Sequence, residues 1–122
     1  MYDTGALVAA ERRDARMWAM HQRALSRGIR PFVPVVVLAQ AWRGGPQHNL
    51  SQLLRGCQVI PDTESLGRLA GAMCGLAGTA DVVDAMVVAT AIELDALVIT
   101  SDPDDLGQLS ASVNQKLALH TV

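Results

Sequence analysis

Residues 81–100 constrain the fold of this chain more than any other stretch, because they are apolar almost without interruption. The segment Asp81–Leu94 has the length of a helix and is apolar on nearly every side. A helix of that kind is buried all round rather than along one stripe. The run after it, Ala96–Thr100, is typical of a strand covered on both faces, as in a parallel sheet between layers of helices. Together they predict a central helix beside a buried strand.

The rest of the chain alternates in the same way between helical and strand patterns. Helical spacing of apolar residues, or a helix-start signal, occurs in Asp14–Gly28, Pro46–Arg55, Thr63–Leu76 and from Asp102 onward. Short apolar runs typical of strands occur at Met1–Tyr2, Ile29–Val33, Cys57–Ile60 and Leu117–Val122. Strands separated by helices predict an α/β fold. We expect a three-layer α/β/α sandwich around a central parallel sheet of four or five strands, in a single domain over residues 1–122.

Composition excludes several classes of protein. With 122 residues, 50% hydrophobic and 18% charged, the chain is too apolar to be disordered. No run approaches the 18 consecutive apolar residues of a membrane span, and the start of the chain lacks signal-peptide features, so we expect a cytoplasmic protein without membrane contact. Cys57 and Cys74 lack metal-binding spacing, and free thiols are expected rather than a disulfide or metal pair.

Charge is distributed unevenly along the chain. Residues 1–55 contain eight arginines against three acids, a net +5, whereas residues 56–122 contain nine acids against Arg68 and Lys116, a net −7. One half could therefore offer guanidinium groups to a polyanion while the other concentrates carboxylates. Solvated helices of unequal charge would give the same asymmetry without any binding function.

Acidic residues follow or adjoin the predicted strands. Asp3 follows the opening strand, Asp102 follows Ala96–Thr100, and Asp84 lies in the first turn of the buried helix. Ligands of parallel sheets gather beyond the carboxyl ends of the strands, and Mg²⁺ or Mn²⁺ prefers carboxylate oxygens. Each acid could instead cap or begin a helix, and both roles can coexist.

Four segments occur in the order expected of a PIN-domain protein, and the chain resembles the small, single-domain VapC-like toxins of bacterial toxin–antitoxin pairs. The four segments are Asp3–Leu7, Val37–Gly45, Asp84–Ala91 and Val98–Asp102. The resemblance covers nearly the whole chain. The segment Pro34–Trp42 is ambiguous by itself, because its valines favour a strand whereas its Pro and the Gly-Gly that follows favour a helix. The resemblance implies that this segment is a helix.

The resemblance implies a metal-dependent endoribonuclease that uses Mg²⁺ or Mn²⁺. Asp3, Asp84 and Asp102 match three catalytic, metal-binding acids of the family. The fourth family position, a Glu, is Gln40 here, which keeps an amide oxygen as a ligand but removes one negative charge. Asp81 and Asp105 are expected as auxiliary metal ligands. A catalytically weak or inactive RNA- or partner-binding module is the alternative that Gln40 leaves open.

The resemblance also implies an RNA substrate, a cognate antitoxin protein and a homodimer. Metal ions would lower the pKa of a water and neutralise charge on the scissile phosphate, so no protein nucleophile is needed. Candidate substrate-binding residues are Arg43, Arg12, Arg13, Thr4 and Ser101. A receiver-type phosphoacceptor domain is an alternative that would also gather acids around Mg²⁺. Such a domain needs a Lys after a late strand, and the only Lys of the chain, Lys116, is poorly placed for that role.

Overall fold

The computed structural model describes residues 1–122, of which 59% lie in seven helices. The helices are α1 (Thr4–Glu11), α2 (Ala15–Ser26), α3 (Val35–Ala41), α4 (His48–Arg55), α5 (Glu64–Ala77), α6 (Val82–Leu94) and α7 (Pro103–Ser112). The strands have three residues each: β1 (Phe32–Pro34), β2 (Gln58–Ile60), β3 (Val98–Thr100) and β4 (Leu119–Thr121).

Local signals in the sequence explain where the helices begin and end. The side chains of Asp14 and Thr63 precede α2 and α5 and accept hydrogen bonds from backbone N–H groups in the first turn, as good N-caps do. Gly78 ends α5 in the left-handed conformation with φ 69°, which costs glycine least. The ambiguous segment is helical as α3, with Pro34 as its N-cap residue, so that prediction is confirmed.

The predicted three-layer sandwich around a central four- or five-stranded sheet is wrong. The strands form two separate two-stranded parallel sheets, β1–β2 and β3–β4. Residues 1–3 lie between the two sheets, where the Tyr2 N–H donates to the Phe32 carbonyl (2.9 Å) and the Asp3 N–H donates to the Ile99 carbonyl (3.1 Å). They contribute only one isolated bridge, Tyr2 to Ile99. With two residues before Asp3 and three-residue partners, the ladder is too short to form a strand there.

The middle of α6 and all of β3 lie in the core, as the sequence predicts, whereas Val82, Leu94 and Leu97 at the ends of these elements are exposed. Every residue of α6 from Ala85 to Ala91 is buried, and so is all of β3. The helix packs against α3, α5 and α7. Its first turn therefore has a fixed position relative to the ends of β3 and of the segment Met1–Tyr2, which carry Asp102 and Asp3.

Two further predictions concern the cysteines and the membrane. Cys57 is buried, Cys74 is half-buried, and both are free thiols. No single helix has the length and apolarity to cross a membrane, and only α5 and α6 taken together, bent by 119°, reach those limits.

Candidate functional site

Asp3 is held at the junction between the N-terminal segment and α1. It is the N-cap of α1, its Oδ1 accepts a hydrogen bond from the Ala6 N–H (2.9 Å), and only 5% of its surface is exposed. Burial raises the pKa of Asp3, while the Thr100 hydroxyl and the N–H groups of Ala6 and Gly5 act in the opposite direction. The neighbouring Asp102 raises this pKa further.

Asp102 lies at the carboxyl end of β3, two residues after its last residue, Thr100. Thr100 is fully buried, and its hydroxyl oxygen accepts a hydrogen bond from the Asp102 N–H (2.9 Å). The side chain of Asp102 makes no capping hydrogen bond to α7 and is exposed. The Asp102 carboxylate is exposed and lies within hydrogen-bonding range of the Asp105 side chain, whereas its backbone is fixed.

Asp84 lies in the first turn of α6, close to Asp3 and Asp102. Its N–H donates to Oδ1 of Asp81, the N-cap of that helix (3.3 Å). Partial burial raises the pKa of Asp84 to about 7, with repulsion from Asp81 next in importance and from Asp3 and Asp102 after it. The carboxylate of Asp84 is thus repelled by acids from three separate parts of the chain.

Asp105, in the first turn of α7, completes the group. Repulsion from Asp102 is the main cause of its raised pKa, and Asp81 contributes as well. Asp81, Asp84 and Asp105 also line one cleft of about 100 Å³. We refer to Asp3, Asp81, Asp84, Asp102 and Asp105 as the acidic cluster.

The donor chemistry of the acidic cluster fits a hard divalent cation. Five carboxylates repel one another at close range, and a cation with oxygen ligands would relieve that repulsion. In the structure no group of three or more His, Cys, Asp or Glu side chains is already arranged to hold a metal ion. A cation would therefore require these carboxylate side chains to rotate toward one another before they could share it.

Gln40 lies beside the acidic cluster on the last turn of α3. Its Oε1 accepts a hydrogen bond from the hydroxyl of Thr4 (2.5 Å), the first residue of α1 and the neighbour of Asp3. Thr4 therefore positions Gln40 rather than binding an acid directly. This hydrogen bond uses one lone pair of the amide oxygen and leaves the other for a ligand.

The three predicted substrate-binding arginines lie in different surroundings. Arg12 lines a cleft of about 500 Å³ together with Gly5 and Ser101, next to Asp3 and Asp102. Arg13 faces another depression, beside Trp18. The Nη1 group of Arg43 donates to the carbonyls of Ala39 (3.3 Å) and Trp42 (2.8 Å), so this guanidinium caps the end of its own helix. Arg12 follows the C-terminal end of α1, whereas Asp3 precedes its N-terminal end, so of the three arginines only Arg12 shares a cleft with neighbours of the acidic cluster, Gly5 and Ser101.

Two positioning residues, Thr100 and Gly5, do not follow from the carboxylate pattern. Thr100 holds the backbone of Asp102 and lies beside Asp3, and Gly5 packs directly against Ser101. A hydroxyl residue at the last position of a buried strand could have indicated the role of Thr100. The role of Gly5 depends on how closely two distant segments approach, and local sequence carries no signal of it.

No protein-family model matches this sequence, and neither does any curated protein. The resemblance to PIN-domain toxins therefore stays a prediction, carried by Asp3–Leu7, Val37–Gly45, Asp84–Ala91 and Val98–Asp102.

Proposed function

We propose that this protein is an endoribonuclease of the toxin type that depends on Mg²⁺ or Mn²⁺. The proposal is supported best by the approach of acids that are far apart in sequence: Gly5 contacts Ser101, which brings Asp3 toward Asp102, and Asp81, Asp84 and Asp105 line one cleft. Burial and repulsion from Asp81, Asp3 and Asp102 raise the pKa of Asp84 to about 7. Such a concentration of acids at the ends of β3 and of residues 1–2 is unfavourable without a cation.

In phosphodiester hydrolysis, different residues of the chain would hold the cation and bind the RNA. Asp3, Asp84 and Asp102 would hold the cation, with Asp81, Asp105 and the amide oxygen of Gln40 as auxiliary ligands. When bound, the cation supplies charge neutralisation at the phosphate and makes a water more acidic. Arg12 would bind a phosphate of the RNA next to the cleaved bond, from the cleft that it lines. Ser101, which lines the same cleft, would help to position the RNA.

Two partners belong to the same proposal because the resemblance implies them. A cognate antitoxin would cover the acidic cluster, and a second copy of the chain would form a homodimer. Both would be tested by co-expression of the chain with the product of a neighbouring reading frame and by measurement of the mass of the complex.

A second function, RNA or partner binding without cleavage, is favoured by one specific observation. Gln40 is neutral and its amide oxygen is engaged by Thr4, so the site has one charge less than the resemblance implies. A weaker cation site would bind RNA through Arg12 and leave it intact.

The test is cleavage of a labelled RNA by the metal-free protein to which Mn²⁺ or Mg²⁺ is added back. We expect cleavage with Mn²⁺, none in chelator, and a loss of at least about a hundredfold in Asp84→Asn, because a ligand lost from a catalytic metal site costs several kcal/mol. Glu93→Gln removes the same charge from the exposed end of α6 and serves as the matched control, with cleavage unchanged.

The outcomes separate the two functions. RNA that stays intact with every metal, although the protein retards it in a gel, would establish the binding module. Cleavage that survives equally in chelator and in Asp84→Asn would contradict a role for the acidic cluster and point to a contaminating nuclease.

A further inference from the structure

A second cavity lies at the opposite end of the strands from the acidic cluster. It has a volume of about 500 Å³, and its lining includes Phe32 at the start of β1 and Leu97 just before β3. Asp102 follows the other end of β3, and a three-residue strand is about 10 Å long. No residue of the acidic cluster lines this cavity, so a ligand bound in it is independent of the proposed nuclease function.

The lining of this cavity is mostly apolar and leaves large apolar side chains in contact with water, which a bound ligand would cover. Ten of its 16 lining residues are hydrophobic. Three of them are large side chains left open to water, with Ile29 54%, Leu97 48% and Leu94 42% exposed. Binding sites for small molecules have this character and a volume of roughly 300–1,000 Å³.

Three arginines surround the same cavity. Arg23 and Arg27 reach it from the last turn and C-cap of α2, and Arg30 reaches it from the loop before β1. The single ion pair of the chain joins Arg68 to Glu64, so none of these three guanidinium groups has a carboxylate partner. One carboxylate, Asp95, also lines the cavity, which leaves the positive charge in excess.

We propose that this cavity binds a small amphiphilic anion, a molecule with an apolar body and one carboxylate. The apolar body would cover Ile29, Leu94 and Leu97, and the carboxylate would accept hydrogen bonds from Arg23 and Arg27 at the rim. Arginine is suited to this role because its planar fork of N–H donors matches a carboxylate. Donation from the Arg30 Nε to the Cys57 carbonyl (3.2 Å) fixes the third guanidinium beside them.

Charge complementarity selects this class of ligand over a neutral one. A purely apolar molecule would leave the exposed guanidinium groups of Arg23 and Arg27 with water as their only partner, and an inorganic anion would leave the large apolar side chains in water. An anion with an apolar body satisfies both sets of groups at once.

Methionine methyl groups offer a direct readout with octanoate as the probe. Met1 and Met20 line the cavity, whereas Met73 and Met86 are buried elsewhere in the core. In protein labelled with ¹³C at the methionine methyls, octanoate should shift Met1 and Met20 in a saturable manner and leave Met73 and Met86 in place. Octanol, which has a similar chain and no charge, should bind at least about tenfold more weakly, as expected for the loss of a charge-assisted hydrogen bond.

Variants then test the arginines. The double variant Arg23→Gln and Arg27→Gln should weaken octanoate binding by roughly tenfold or more, while Arg55→Gln, an exposed arginine of α4 outside the cavity, should bind as the original chain does. Unshifted Met73 and Met86 signals in each variant report that the core is intact. Octanoate that binds the double variant equally well, octanol that binds as tightly, or octanoate that leaves Met1 and Met20 unshifted would overturn the proposal.

Discussion

Gly5 and Ser101 are in direct contact although 96 positions separate them in the chain, and a Cβ atom built on Gly5 would overlap the Oγ of Ser101. The first turn of α1 therefore packs against the turn after β3. Asp3 lies two residues before Gly5 and Asp102 one residue after Ser101, so this contact sets how closely the two carboxylates approach.

The first prediction is that Gly5→Ala destabilises the protein and disturbs the acidic cluster. The added methyl group has no space and must displace Ser101, which should cost about 1–3 kcal/mol in the free energy of unfolding. RNA cleavage should fall as well, because Asp3 and Asp102 move apart. Urea unfolding and the cleavage assay measure the two effects.

The matched control for this substitution is Gly71→Ala on α5, where a Cβ atom meets no neighbour. Alanine in a helix should stabilise by roughly 0.5–1 kcal/mol. A double variant, Gly5→Ala with Ser101→Gly, should recover most of the loss. If Gly5→Ala is as stable as the original chain, the close contact at α1 is not present in solution.

The second prediction is that Asp84→Asn is more stable than the original chain in chelator at pH 8. The ionised carboxylate is partly buried and repelled by Asp81, Asp3 and Asp102, so removal of its charge relieves an unfavourable interaction. Water screens a group that is only half buried, and we therefore expect a gain of roughly 1–2 kcal/mol. Asp62→Asn, at an exposed position between β2 and α5, should leave the stability unchanged. A loss of stability in Asp84→Asn would mean that the carboxylate serves the fold and not a ligand.

Much of the local structure follows from the sequence, whereas the sheet does not. The helices α2, α4, α5, α6 and α7 have capping residues or apolar periodicity that predict them to within a few residues. Strand pairing depends on how many backbone hydrogen bonds each partner can supply. Met1–Tyr2 supplies one bridge instead of a ladder, and apolar runs of about five residues form strands of only three, so the predicted central sheet divides into two pairs.

The candidate site shows the same division between local and long-range information. The position of Asp102 after a buried strand and of Asp84 in a first helical turn can be read directly from the sequence. The surroundings of an arginine cannot, because they depend on which carbonyls lie within reach: Arg43 turns back to its own helix, and Arg12 faces the cleft beside Ser101.

The third prediction concerns the charge at Gln40. Gln40→Glu adds one carboxylate oxygen beside the acidic cluster while the Thr4 hydroxyl can still donate to it. We expect Mn²⁺ to bind about tenfold more tightly and RNA cleavage to increase, since each added charged ligand strengthens a hard-cation site. Calorimetric titration measures the affinity. Gln22→Glu, which adds the same charge on the exposed face of α2, should not change it; equal affinity in all three proteins would place the cation away from Gln40.

The fourth prediction is a pH dependence of stability that arises from His21, which is not a member of the acidic cluster. His21 is 2% exposed, and its Nδ1 lies 2.9 Å from the Tyr2 hydroxyl. Burial lowers the pKa of His21 below its ordinary value of 6.5, so the unfolded chain takes up a proton that the folded chain resists. Stability from this group is therefore complete above pH 6.5 and declines as the pH falls below it.

Substitution of His21 isolates this contribution from that of the carboxylates. The raised pKa values of Asp3 and Asp84 act in the opposite sense and stabilise the fold as the pH falls, so the slope must be compared between variants. Between pH 7.5 and 5 the free energy of unfolding should decrease by roughly 1 kcal/mol more in the original chain than in His21→Asn, which keeps a hydrogen-bond acceptor but does not titrate. His120→Asn, at an exposed position of β4, should retain the full decrease. Identical slopes in the original chain and His21→Asn, measured by urea unfolding in chelator, would show that His21 is accessible to protons in the folded protein.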